Sequence, residues 1–196
     1  MTGSRRLSQA ISEGDGISLI VPVGEPGEAE RAEQEGAEAL LIASGDLGRL
    51  AEISNATSLP ILFHWDGQQV HELAGADACI VEARDDSEWL EDVNEKLGDQ
   101  CELAFRIEDD EHLELLLEGF DPEIFLLAPQ RSGNSEDPLE NVLDLLPDIP
   151  AGKLAIADLD VTTPDEIAEL ERAGVDAVIV ASQSIAGLVR AAPPEV

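Results

Sequence analysis

Lysine occurs only at Lys96 and Lys153 of this 196-residue chain, tyrosine is absent, and cysteine is confined to Cys79 and Cys101. The 11 Lys and Arg residues face 43 Asp and Glu, for a net charge of −32. Such a surface repels nucleic acid and anionic membranes, which excludes both as partners. Two cysteines without CxxC spacing supply neither a disulfide framework nor a zinc or redox motif, and they read as buried free thiols. No apolar run approaches the roughly 18 residues of a membrane span, and the opening "MTGSRRLSQAISEGDG" has basic residues with no apolar segment behind them. Neither a membrane helix nor a secretory signal is indicated, so a cytoplasmic location is expected. No cofactor and no resident metal are expected either.

What is present is a periodic chain. The acids are interleaved with regularly spaced apolar residues, which argues for a folded domain with an acidic surface and against a disordered tail. That pattern suits a salt-accumulating cytoplasm, because a Debye length of roughly 3 Å at 1 M salt screens the self-repulsion. The charge therefore speaks of the solvent, not of a reaction.

Short aliphatic runs predict strands over 17–23, 38–44, 60–65, 77–83, 101–107, 123–128, 153–158 and 176–182, alternating with amphipathic segments such as "SEWLEDVNEKLG" and "DEHLELLLEGF". The stretches "AEQEGAEALLIAS", "HELAGADACIVEA" and "LERAGVDAVIVAS" repeat one joint, in which a glycine follows a helix and a buried strand begins. Gly36, Gly75 and Gly174 are read there as helix C′ residues in the left-handed conformation. No GxGxxG turn follows "LIVPV", which argues against a dinucleotide-binding sheet. Eight strand–helix units predict an α/β fold: a single compact (β/α)8 barrel over 1–196, in which residues 1–16 form an N-terminal extension with a short helix.

The order of these units, from "RRLSQAIS" to "GVDAVIVASQSIAGLV", resembles indole-3-glycerol phosphate synthase, the (β/α)8 lyase of tryptophan biosynthesis, and more broadly the ribulose-phosphate-binding barrels. Most of the likeness lies in "TTPDEIAELERAGVDAVIVASQSI". The resemblance implies a possible lyase or isomerase, yet the positions it assigns to the synthase's working residues have changed. Pro22 and Gly24 stand for its first-strand Glu-x-Lys, His64 for the catalytic lysine of strand three, and Arg106 for the glutamate of strand five. Leu127 replaces an asparagine, Asp158-Leu159-Asp160 replaces Glu-Ser-Gly, and Ala181-Ser182 replaces Gly-Ser. Only the acid at Asp158 and the hydroxyl at Ser182 survive, so the usual synthase reaction is not expected.

In such a barrel the chemistry belongs at the carboxyl ends of the strands, which gathers Ser44, Asp46, His64, Asp66, Glu82, Arg106, Glu108, Gln130, Arg131, Asp158, Asp160, Ser182 and Ser184. His64 with Asp66 is either a general base with its orienting carboxylate or a hydrogen-bonded strand-end histidine. Asp158 and Asp160 share parity, and they share a proton, hold a cation, or part company where Asp160 turns to solvent. Arg106 and Arg131 either bind a carboxylate or phosphate or neutralise Glu82 and Asp158. His64, Asp158 and Arg106 are the catalytic candidates; Glu82, Arg131, Asp160, Ser182 and Ser184 are the ligand-binding candidates, and the expected ligand is a small anionic metabolite. His71 and His112 read as solvated helix residues, Trp65 and Cys79 as facing outward, and Thr163-Pro164-Asp165-Glu166 as a capping box. Convergence of His64, Arg106 and Asp158 on an open pocket would favour a binder or enzyme, and a mouth plugged by Phe63, Leu127 and Leu159 would favour a catalytically inactive scaffold.

Overall fold

Alternation of inward and outward side chains decides how these strands close. A computed structural model describes residues 7–14, 16–84, 87–130, 137–180 and 185–188. It places the strands at β1 (Ser18–Pro22), β2 (Ala39–Ile42), β3 (Ile61–His64), β4 (Ala78–Glu82), β5 (Glu102–Ile107), β6 (Ile124–Leu127), β7 (Leu154–Val161) and β8 (Ala177–Val180). Each pairs in parallel with the next, and β8 pairs with β1, so the sheet is a closed eight-stranded barrel.

One set of side chains fills the barrel: Ile20, Leu62, Ile80, Leu126, Ile156 and Ile179 at large positions, with Ala39, Ala78, Ala104 and Ala177 at small ones. The small positions leave room for α1 (Leu7–Glu13), whose Leu7 and Ile11 join this interior cluster. Burying each stabilises the fold by about 1.5–3 kcal/mol. The Ser8 backbone N–H and hydroxyl both donate to Glu102 at the start of β5, so α1 stoppers the N-terminal end of the barrel.

The alternate set faces the helices. Val21, Leu40, Phe63, Cys79, Phe105, Phe125, Ala157 and Val178 pack in a second cluster with α2 (Pro26–Glu35), α3 (Leu50–Ala56), α4 (Ser87–Leu97), α5 (Asp110–Gly119), α6 (Pro138–Leu145) and α7 (Pro164–Ala173). Phe63, Leu127 and Leu159 belong to this outer layer, so they do not plug the mouth. Trp65 packs there too, its Nε1 donating to the Gln68 carbonyl at 2.9 Å.

The joints follow the repeated glycines. Gly174 at φ 101° closes α7, its N–H donating to the carbonyls of Leu170 and Glu171. The capping box opens the same helix: the Glu166 N–H donates to the Thr163 hydroxyl while Thr163 N–H donates to Glu166.

One unit departs from the expected alternation. Among the described residues β3 and β4 are joined by a single 3-10 turn, Val70–Leu73, with no α-helix. Gly67 at φ 103° and Gly75 at φ 114° bound that segment. His71 sits on this turn and is exposed, as expected of a solvated residue, whereas His112 on α5 is half-buried with its ring 2.7 Å from Asp109. Among the described residues no helix is long and apolar enough to cross a membrane.

Candidate functional site

The inward set that fills the barrel ends, at the carboxyl edge, in charged residues. β3 ends on His64, β4 on Glu82, β5 carries Arg106, and β7 carries Asp158. All four have the parity of the interior cluster, so their side chains converge over its apolar floor. The register sets Glu82 directly beside Arg106 on adjacent strands.

Arg106 is the hub of the group and is only 9% exposed. Its Nη1 donates to Glu108 and lies 3.5 Å from Glu82, while its Nε lies 3.4 Å from Asp158. Burial by itself would lower the guanidinium pKa; the hydrogen bond to Glu108 and the charges of Glu82, Glu108 and Asp158 outweigh it and raise the pKa above its ordinary value. The cation is permanent, and its Nε and Nη1 are engaged.

His64 Nε2 faces Glu82 Oε1 at 3.3 Å. The orienting acid is thus Glu82, not Asp66. Asp66 lies past the strand end, bonded to Gln68, where the chain turns away at Gly67.

Asp158 and Asp160 do keep common parity, because β7 stays extended to Val161. Between Asp158 and Val161 β7 advances three residues while β8 advances one, from Ile179 to Val180. This bulge carries Asp160 to the exposed rim while Asp158 stays half-buried against Arg106. Beside them opens a cleft of about 330 Å3, lined by Arg106, Pro129, Gln130, Pro138, Asp158, Leu159 and Asp160. An adjoining hollow of about 250 Å3 shares Pro138, Leu159 and Asp160 and reaches Glu166 at the start of α7.

Arg131, Ser182 and Ser184 lie outside the described residues. Two further mouth residues carry weight that sequence reasoning did not give them. Glu108 neutralises Arg106, and its place two residues past Arg106 on the β5 strand end was the available signal. Arg49, on the turn after β2, donates to the Gly24 carbonyl at 2.9 Å and pairs with Glu25 at 3.2 Å, tying the first two loops together. Both lysines lie away from the mouth: Lys96 in the last turn of α4, and Lys153 ahead of β7, paired with Asp121 and Glu123.

Comparison with known proteins agrees with this architecture. The chain is 30% identical over 149 residues to indole-3-glycerol phosphate synthase of Shouchella clausii, a match covering 71% of this chain and 57% of that protein. The Geobacillus synthase is 28% identical over 165 residues, covering 78% of this chain and 64% of its own length. The chain is a diverged ribulose-phosphate-binding barrel. It spans between about half and two thirds of the length of these relatives. No protein-family profile matches it. Among solved structures, the tryptophan synthase α-subunit of Pyrococcus furiosus superposes with a TM-score of 0.64 at 15% identity, covering 85% of this chain and 87% of that one. A citrate synthase variant superposes with a TM-score of 0.66 at 16% identity, covering 89% and 90%. At these identities the structural likeness speaks for the fold alone.

Proposed function

We propose that this barrel binds a small hydroxylated metabolite with a phosphate or carboxylate pole at its carboxyl-end mouth, and that it does not carry out the synthase reaction of its relatives. The observation that carries the reading is the convergence of His64, Glu82, Arg106 and Asp158 beside an open cleft. Carboxylates and an imidazole are acceptors for ligand hydroxyls, and His64 with Glu82 is the group suited to moving a proton. Loss of the synthase reaction follows from the lysines. The resemblance requires them at strand ends, and this chain has only Lys96 and Lys153, neither at the mouth.

Arg106 is a poor anion clamp, because Glu82, Glu108 and Asp158 surround it with three negative charges and engage its Nε and Nη1. The anionic pole is therefore assigned to the end of β8, with Ser182 and Ser184 as donors and Arg131 as counter-charge. The cytoplasm of a salt-accumulating cell is the setting that the −32 charge supports.

The test is titration of wild type and Asp160→Gly with inorganic phosphate and ribose 5-phosphate at constant ionic strength. Asp160 lies on the cleft rim, and a carboxylate about 4–5 Å from the anion at intermediate dielectric weakens binding by about 1–3 kcal/mol. Asp160→Gly should bind both anions roughly 5–150-fold more tightly. If neither protein binds either anion, the reading falls and a catalytically inactive scaffold takes its place.

A further inference from the structure

Cys79 and Cys101 are 22 positions apart, yet the register that sets Cys79 against Leu103 brings their sulfurs to 3.3 Å. Cys79 is fully buried on the outer face of β4. Cys101 precedes β5, is half-buried, and lines a groove of about 840 Å3 beside the 3-10 turn between β3 and β4. The same groove is lined by Trp65 and Trp89, which are the only two tryptophans of the chain.

From this placement we infer a modification site: a low-molecular-weight disulfide entering the groove oxidises Cys79 and Cys101 to an intramolecular disulfide, with Cys101 reacting first. The Cys101 thiolate attacks one sulfur of the small disulfide, forms a mixed disulfide and expels one thiolate. Cys79 then gives its proton to that thiolate and attacks Cys101 Sγ, which releases the second thiolate. Two protein thiols are oxidised, and one small disulfide is reduced to two thiols.

Access sets the order, since only Cys101 borders the groove. The local chemistry agrees: the hydrogen bond with Cys79 holds the Cys101 thiol below its ordinary pKa, while the same contact and burial push Cys79 up. Closing the gap to the about 2.05 Å of a disulfide bond needs a shift of about 1.2 Å.

The experiment incubates the folded chain with oxidised glutathione at high salt, blocks remaining thiols after acid quench, and maps tryptic peptides. Arg84 and Lys96 separate the cysteines, so the disulfide joins fragment 50–84 to fragment 97–106. Wild type should yield the joined peptide with no retained glutathione. Tryptophan emission, free of any tyrosine signal, should change with the same time course. Cys79→Ala should accumulate a glutathione adduct on Cys101, and Cys101→Ala should take up none while folded. The proposal is overturned by a lasting adduct on wild-type Cys101, by equal uptake in the two variants, or by thiols inert until the chain unfolds. If a variant does not fold, the wild-type peptide map decides alone.

Discussion

Replacing Arg106 by leucine removes a cation that Glu82, Glu108 and Asp158 share. The gross attraction is large, since a unit pair at about 4 Å is worth about 4 kcal/mol at an effective dielectric of 20. The net cost is smaller. Arg106 regains its hydration on unfolding, and the carboxylates are 24–37% exposed, so water screens part of each pair. Breaking a buried pair typically costs about 3–5 kcal/mol, and the partial exposure here brings the expectation down to about 2–4 kcal/mol at low salt. For a domain of this size that is a fall in Tm of roughly 4–16 °C.

Thermal and urea unfolding of wild type, Arg106→Leu, Glu82→Gln and the double variant measure it as a cycle. Glu82→Gln should recover part of the loss in the Arg106→Leu background, because it removes one of the carboxylates left facing each other. The penalty should shrink near 1 M salt, where the Debye length of about 3 Å screens the exposed side of the cluster. An Arg106→Leu protein within about 0.5 kcal/mol of wild type at low salt, the range of an ordinary surface change, would refute the reasoning. The acids would then be neutralised by solvent ions, and Arg106 would be free to serve a ligand.

Leu7→Ala should cost about 2–4 kcal/mol in urea unfolding, because it hollows the stopper of the barrel without touching the mouth. Thr163→Ala should cost about 1 kcal/mol through the lost cap of α7. Backbone N–H donation from Thr162 leads the interactions that hold the Glu166 carboxyl below its usual range. A depressed carboxyl stabilises fully above its unfolded pKa of about 4.3 and loses that contribution as pH falls through the folded value, so Glu166→Gln should flatten this acid limb. Wild-type Tm should rise between about 0.1 M and 2 M salt, and a flat dependence would reject the halophilic reading.

The barrel was legible because its signals are local and repeated. Aliphatic runs set the strands, and glycine at 36 and 174 set the joints between helix and strand. Parity within a strand also sufficed to place Arg106 and Asp158 at the mouth and to turn Trp65 and Cys79 outward. What was hidden depends on contacts between strands. His64 has Asp66 two residues away in sequence and Glu82 eighteen away, and the Gly67 turn together with the β3–β4 register decides for Glu82. The Cys79–Cys101 contact is of the same kind, created by the β4–β5 register alone. The missing helix after β3 was hidden for another reason: "HELAG" matches the helix–glycine joint of its neighbours, yet the segment closes as the 3-10 turn Val70–Leu73.

The mouth that results divides labour differently from the one the resemblance implies. The resemblance implies that His64 stands for a lysine and Arg106 for a glutamate, which would put the positive charge of the mouth on strand five. A guanidinium does not release its proton at any working pH, so Arg106 has no part in proton transfer. Its place beneath three carboxylates makes it a positioning residue that sets where Glu82 and Asp158 point. On the proposed reading, proton movement falls to His64, which faces Glu82, and Asp158 accepts a hydrogen bond from the ligand in the cleft beside it. On that reading the centre of the mouth suits hydroxyl groups better than anions, which is why the proposal seeks the anionic pole beyond β8.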